Sequence, residues 1–413
     1  MIFLEKVRIP IINLYILFYP SIFFISLVPI SSGSLFDFTF LPLIFIFTIF
    51  LLTKKIIINR SIKKICLIYI FFILFITIIR MNLHGSISHN IEIYIALALR
   101  SILPISFIFL GDFLFLKFKK IDYLKQLKFF KILLFIWMTS IVLIIAFSIY
   151  DFTQSNMNLG LSFPFYSFGL DRHVFGPAMA FVSISSCVIY LNNDFIKNRI
   201  YNTSILIFLS LSTIASIGSS SRGPLIIYLV FYGMIIMQKN NFKLKVKKKI
   251  IFLISILFGF LLIVYAYIIF TNPFIIDLIL PRFFSTLQAI LNPFQDTSRG
   301  DQVSDLVTTF LNTDFWLIGN ISNPIITPDS GPYLIIANFG LLTLIIFISI
   351  FYFLYNGQEN IFIKSFLVAQ LFQFFLSSET IFIPRYIVLV TWSFSLIYIS
   401  IYLNKKRIIY KLN

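Results

Sequence analysis

Apolar runs broken by short polar stretches recur from one end of the chain to the other. They fall at 9–30, 35–53, 65–80, 91–116, 129–150, 173–191, 200–217, 224–238, 250–270, 332–354, 362–378 and 383–403. A helix of about 17–25 apolar residues crosses the roughly 30 Å hydrocarbon core of a bilayer. The pattern therefore predicts an all-α polytopic membrane protein of about 12 transmembrane helices, one transmembrane domain over residues 1–413. The first run, Ile9 to Ile30, follows Lys6 and Arg8 in the manner of a signal peptide. It is longer than the usual apolar region of such a peptide and no A-x-A-like site follows, so it reads as an uncleaved span.

Composition agrees with a lipid solvent. The 413 residues are 59% hydrophobic and 12% charged, against about 25% charged in soluble domains. Cys66 and Cys187 both lie inside apolar runs, which suggests neither a disulfide nor a zinc site.

The polar punctuation alternates in character and orients the chain. "TKKIIINRSIKK", "KFKKIDYLKQLKFFK", "NNDFIKNR", "KNNFKLKVKKK" and "NKKR" are basic, whereas "SSGS", "MNLHGSISHN" and "DFTQSNMNLGLSFPFYSFGLDR" hold no lysine. The positive-inside rule predicts both termini in the cytoplasm, in agreement with an even number of spans. The net charge of +17 is then mostly an orientation signal with attraction to anionic membrane lipids. Nucleic acid is not implied.

Of the 33 basic residues, 22 are lysines, and this topology puts every one of them on the cytoplasmic side. The outer side and membrane interior hold arginine alone: Arg80, Arg100, Arg172, Arg222, Arg282, Arg299 and Arg385. Charge bias explains why cations are few there, and not why all are arginine. Arginine grips phosphate or carboxylate with a planar fork and keeps its charge in a poorly hydrated pocket. As a set they point to an outward-facing anion site, although any one near a span end could simply snorkel. Arg100 lies about nine residues into its span, roughly 13 Å deep, where Glu92 is a candidate ion-pair partner.

The stretch at 271–331 is 61 residues without a span, long enough to suggest a functional element between spans nine and ten. It is expected on the outer side of the membrane. Phe283, Leu287, Ile290, Leu291 and Phe294, then Val303, Leu306, Val307, Phe310 and Leu311, recur at helical spacing. Each set predicts an amphipathic helix lying on the membrane or the bundle. Ser298 with Asp301 fits a capping box. Asp301 and Asp305 alone are a weak metal signal, no outer loop carries D-x-D, and the three histidines lack ligand spacing. No metal and no cofactor is expected, which leaves arginine to stabilise an anionic leaving group.

Three stretches carry a resemblance. "SSSRG" stands at the outer start of a span. "LDRHVFGPAMAF" leads an arginine into a span with a glycine and a proline close behind. "DSGPYLIIANFGLL" is a polar turn followed by a span with a mid-helix glycine. In chain order, "LDRHVFGPAMAF", "SSSRG" and, after the large outer loop, "DSGPYLIIANFGLL", they resemble the O-antigen polymerases of the Wzy type, in the group that includes O-antigen ligases. The likeness covers roughly 171–342; the first third of the chain matches in span count alone.

The resemblance implies a metal-independent glycosyltransferase of the bacterial inner membrane. Such enzymes join oligosaccharide repeat units carried on undecaprenyl diphosphate at the periplasmic face. Candidate partners are the lipid-linked oligosaccharide, membrane lipids, and a chain-length regulator and flippase of the same pathway. On this reading Arg222, Arg172, Arg299, Arg282 and Arg385 hold the substrate diphosphate. O-antigen ligases carry a histidine near the end of the large loop, where this chain has Asp329 in "TPDSGPY". That favours the polymerase and makes Asp329 a candidate carboxylate, although P-D-S-G is also a turn sequence. A base for the acceptor hydroxyl must be a carboxylate or histidine; Asp329, Asp171, His173 and Glu379 are all expected near the outer surface. A polysaccharide flippase is the rival from another class, with an O-antigen ligase and a membrane-embedded lipid-sugar glycosyltransferase behind it.

Overall fold

The computed structural model of the chain describes residues 60–84, 91, 93–102, 104–105, 123–154, 172–195, 199–219, 223–237, 319, 331–376 and 384–412. Among these described residues the secondary structure is helical, with no strand. In chain order the helices are α1 (Arg60–His84), α2 (Ile93–Ile102), α3 (Tyr123–Gln154) and α4 (Arg172–Leu191). There follow α5 (Arg199–Gly218), α6 (Gly223–Met237), α7 (Gly331–Asn356), α8 (Ile361–Leu376) and α9 (Pro384–Leu412). Five of them, α1, α3, α4, α5 and α7, are long and apolar enough to cross a membrane, and α2, α6 and α8 are shorter apolar helices. The expected spans at 9–30, 35–53 and 250–270 lie outside the described residues, as does the 271–331 loop apart from Gly319 and Gly331.

The surface of these helices is what lipid, rather than water, selects. On α1, Phe71, Leu74, Phe75 and Ile78 form an exposed stripe at i, i+3, i+4 and i+7. The opposite face, Cys66, Tyr69, Ile73, Ile76 and Arg80, is buried. Both faces of the helix are thus apolar, and only the inner one packs. Exposed Ile132 and Phe135 on α3, and Ile207 and Leu211 on α5, continue the same outward surface. In water a contiguous apolar patch of this kind drives association; against acyl chains it is the ordinary solvated face.

At the centre stands α4, buried at every position from Val174 to Ile189. It packs on α5, α6 and α9. Small residues allow this: Gly176, Ala178, Ala180, Ser183, Ser185 and Ser186 bring neighbouring backbones close, as in small-xxx-small membrane packing. The serines do not break the helix, because Ser185 and Ser186 donate to the carbonyls of Phe181 and Val182, at 2.7 and 2.8 Å. Ser183 pairs with Thr213 across to α5 at 2.7 Å, and Ser216 with Tyr228 links α5 to α6 at 2.8 Å. Interhelical hydrogen bonds of this type are worth about 0.6 kcal/mol each in a membrane. Aromatic contacts do the rest: Phe181 against Phe366 and Phe347 against Phe374, both with centroids 4.7 Å apart, hold α8 to α4 and α7.

The helix ends sort onto two sides. On one, the Lys406 ammonium donates to Gln126 Oε1 at 3.3 Å, and Asn404 to Asn192 at 3.5 Å. Lys131 sits over the Tyr201 ring at 5.6 Å, and Lys405 pairs with Glu359 at 3.9 Å. The starts of α3, α5 and α8 and the ends of α4, α7 and α9 are therefore together. Asn360 caps α8 there, its Oδ1 accepting from the Phe362 amide at 2.9 Å. Tyr69 against Phe347 and Arg80 against Phe339 show that α1 runs antiparallel to α7, so its start, with Lys63 and Lys64, is on this side too. Every lysine whose side chain is described lies at this lysine-rich end.

Candidate functional site

The opposite end gathers the three motif-bearing stretches. Gly176, in the first turns of α4, abuts Ser219 at the end of α5 and Pro224 at the start of α6: a Cβ built on it would meet the Ser219 hydroxyl and lie 3.0 Å from the Pro224 ring. Gly223 abuts Pro177, with 2.7 Å between its would-be Cβ and the proline Cγ. Gly331, which opens α7, lies against the ring and backbone of Phe374 near the end of α8. Glycine and proline at these places have direct causes. The glycines remove the Cβ atoms that would hold the helix starts apart, and Pro224 stands in a first turn, where a missing amide is least felt. Pro177, deeper in α4, withholds the amide that would otherwise bond the His173 carbonyl.

The last turns of α8 form the wall between them. Gln373, buried at 1% exposure, faces Gly223, whose would-be Cβ would be 3.0 Å from its Oε1 and 3.2 Å from its Nε2. Neither polar atom of Gln373 has a hydrogen-bond partner. One turn further in, Gln370 Oε1 accepts from the Tyr386 hydroxyl at 3.1 Å, tying α8 to the start of α9, while its Nε2 has no partner.

A second irregular region lies between α1 and α7. At Gly340 the backbone of α7 leaves the helical region, with φ 81 and ψ 168, a conformation that only glycine holds without strain. Non-helical backbone at membrane depth is tolerated where protein buries it, and Gly340 is buried. The Thr343 hydroxyl donates to the Phe339 carbonyl beside the break at 2.6 Å. Arg80, at 1% exposure, lies with its guanidinium 5.5 Å from the Phe339 ring centroid and 6.0 Å from that of Tyr94. Gly319, from the long loop, has φ 78 and lies on the backbone of Asn338 and Phe339, 2.6 Å separating its would-be Cβ from the Asn338 carbonyl carbon. Gly319 thus meets α7 just before the break, at the backbone of the residue whose ring Arg80 contacts.

Of the residues singled out in the sequence, Arg172 and His173 are the first two residues of α4 and Arg385 the second of α9. All three therefore stand at the motif-bearing end, although only their backbones are described. Asp171, Arg222, Arg282, Arg299 and Asp329 lie outside the described residues, as do Glu92, Ser298, Asp301, Asp305 and Glu379. By position in the chain Asp171 directly precedes α4, Arg222 directly precedes α6, and Asp329 is two residues ahead of α7. Arg80 is an interior packing residue, stacked between rings rather than facing outward. The residue that sequence reading passed over is Gln373. Its signal was there: Gln370 and Gln373 interrupt an apolar run at i and i+3, which puts two amides on one face of a span.

The described residues thus form an all-helical, membrane-type bundle with a close-packed mouth of helix starts at one end and its lysines at the other. No protein-family model, no curated protein and no solved structure matches the chain.

Proposed function

We propose that the protein is an O-antigen polymerase of the Wzy type, a metal-independent glycosyltransferase that elongates a surface polysaccharide. It acts at the periplasmic face of a bacterial inner membrane, as one domain of about 12 spans with both termini in the cytoplasm and the 271–331 loop outside. The growing chain leaves its undecaprenyl diphosphate and is transferred to the sugar of a newly arrived lipid-linked unit. Arg222, Arg172, Arg299, Arg282 and Arg385 hold the diphosphates. Asp329, Asp171 and His173 are the candidates for the base that takes the acceptor's proton.

One observation carries this reading: Gly176 and Gly223, in the stretches holding "DRHVFGP" and "SSSRG", pack at one meeting point of α4, α5 and α6, and Gly331 of "SGPY" lies against Phe374, the neighbour of the Gln373 that Gly223 meets. That arrangement supports a common site, because Arg172 is the first residue of α4 and Arg222 directly precedes α6 in the chain. A diphosphate carries several charges, and clustered arginine forks stabilise it as a leaving group without a cation. The end of the bundle that bears the starts of α4, α6 and α9 is the one away from the described lysines, as a periplasmic site requires.

The broken helix α7 is the observation that favours a second reading, a flippase, because transporters build cargo sites from discontinuous helices. Deletion in the native strain separates the two on a lipopolysaccharide gel. Loss of a polymerase leaves core bearing one repeat unit; loss of a flippase leaves core without repeats; loss of a ligase leaves bare core with polymer stranded on its lipid. The first pattern is expected.

A further inference from the structure

We propose that Gln373 and the first turn of α6 form a recognition subsite for a sugar hydroxyl next to a phosphate group, the head sugar of the lipid-linked diphosphate. This rests on the polymerase reading and adds a residue and a ligand class to it. The start of α6, a helix of 15 residues, carries the positive end of its dipole and, apart from Pro224, first-turn amides with no acceptor inside the helix, which suits a phosphate oxygen. The helix terminus gains meaning from its neighbour. The Gln373 carboxamide is 1% exposed, lies against Gly223 at 3.0 and 3.2 Å from its would-be Cβ, and has a partner at neither end.

The two free ends decide the ligand. A carboxamide offers a donor at Nε2 and an acceptor at Oε1. The oxygens of an ionised phosphate only accept, so phosphate alone answers Nε2 and leaves Oε1 facing an anion. A hydroxyl both donates and accepts, and a pair of neighbouring hydroxyls answers both atoms at once. Gly223 is the first residue of α6, so a phosphate on the amides of that turn puts the attached sugar beside α8. Burial sharpens the choice, because water does not compete for the amide and an unmatched group leaves it unsatisfied. Gly223 is then required, since a Cβ there would press on the amide at 3.0 and 3.2 Å and displace it.

The test compares two probes on purified protein: undecaprenyl diphosphate, and the same lipid carrying one hexose. The wild type should bind the hexose-bearing lipid about tenfold tighter. Gln373→Leu, which keeps the volume and removes both polar atoms, should bind the two lipids equally while holding the bare one as before. It should also melt at a higher temperature than the wild type, since an unsatisfied buried amide has been replaced by an apolar group. Gln373→Met serves the same purpose if the leucine variant does not fold. A variant that keeps the tenfold preference overturns the role of Gln373 alone. So does one that melts lower with the preference intact, which is what a purely structural glutamine would give. A wild type that binds neither lipid overturns the polymerase reading together with the subsite.

Discussion

Gly223 lies so close to Pro177 that a Cβ at position 223 would sit 2.7 Å from the proline Cγ. The proline ring is fixed in α4 and cannot turn aside, so alanine at 223 must push α6 away from α4. Gly223→Ala should lower stability by about 1–3 kcal/mol, as overpacking does. Gly233, in the same helix, would meet nothing within 4 Å, and Gly233→Ala should raise stability by about 0.5–1 kcal/mol, the usual gain over glycine in a helix. Thermal unfolding of the two variants in detergent checks the contrast; equal shifts would mean that the close approach at the mouth does not matter.

The Arg80 guanidinium and the Phe339 ring should be energetically coupled across α1 and α7. A double-mutant cycle with Arg80→Met and Phe339→Leu should return about 0.5–2 kcal/mol of coupling, the range for partly to fully desolvated cation–π pairs. Additive effects would remove the contact as a cause of the α1–α7 packing.

How much of this was legible in one dimension differs from residue to residue. The apolar runs at 65–80, 129–150, 173–191, 200–217 and 332–354 coincide with long helices, because in a bilayer length and hydropathy alone select a spanning helix. The sorting of lysines was legible for the same reason: charge sets which ends can share a side. Packing was not. An arginine near a span end reads the same whether it snorkels outward or, like Arg80, turns in between two rings. Gly340 could be seen as a mid-helix glycine, but a glycine that merely packs and one that breaks the helix at φ 81 are the same letter. Gln373 is one polar letter in an apolar run, and nothing in that run shows that its amide lies against Gly223, which is distant in sequence.

Orientation is open to direct test. Reporters fused after Lys120, Lys249 and Lys406 should report cytoplasm, and reporters within 295–320 periplasm. The described lysines already share one side of the bundle, so Lys406 and the start of α3 must report alike. A cytoplasmic signal from the large loop would turn every expected outer arginine inward and end the anion-site argument.

Arg222 should be intolerant of a change that preserves its charge. If the guanidinium forks a phosphate, Arg222→Lys keeps the cation and loses the paired donors. Polymerisation should fall by about tenfold in Arg222→Lys and by on the order of a hundredfold or more in Arg222→Ala, at unchanged protein level. Full activity in the lysine variant would reduce the site to a general positive field; full activity in the alanine variant would remove Arg222 from it.

Elongation by purified protein tests the central claim most directly. Detergent micelles have no two compartments, so a flippase has no covalent product to make there. A polymerase supplied with its undecaprenyl-diphosphate repeat unit converts it to longer chains and releases free undecaprenyl diphosphate. If arginines are the only cations at the leaving group, this conversion should proceed in excess EDTA and without any nucleotide. Folded protein that yields nothing longer than one unit from the correct substrate would contradict the account and leave the flippase in its place.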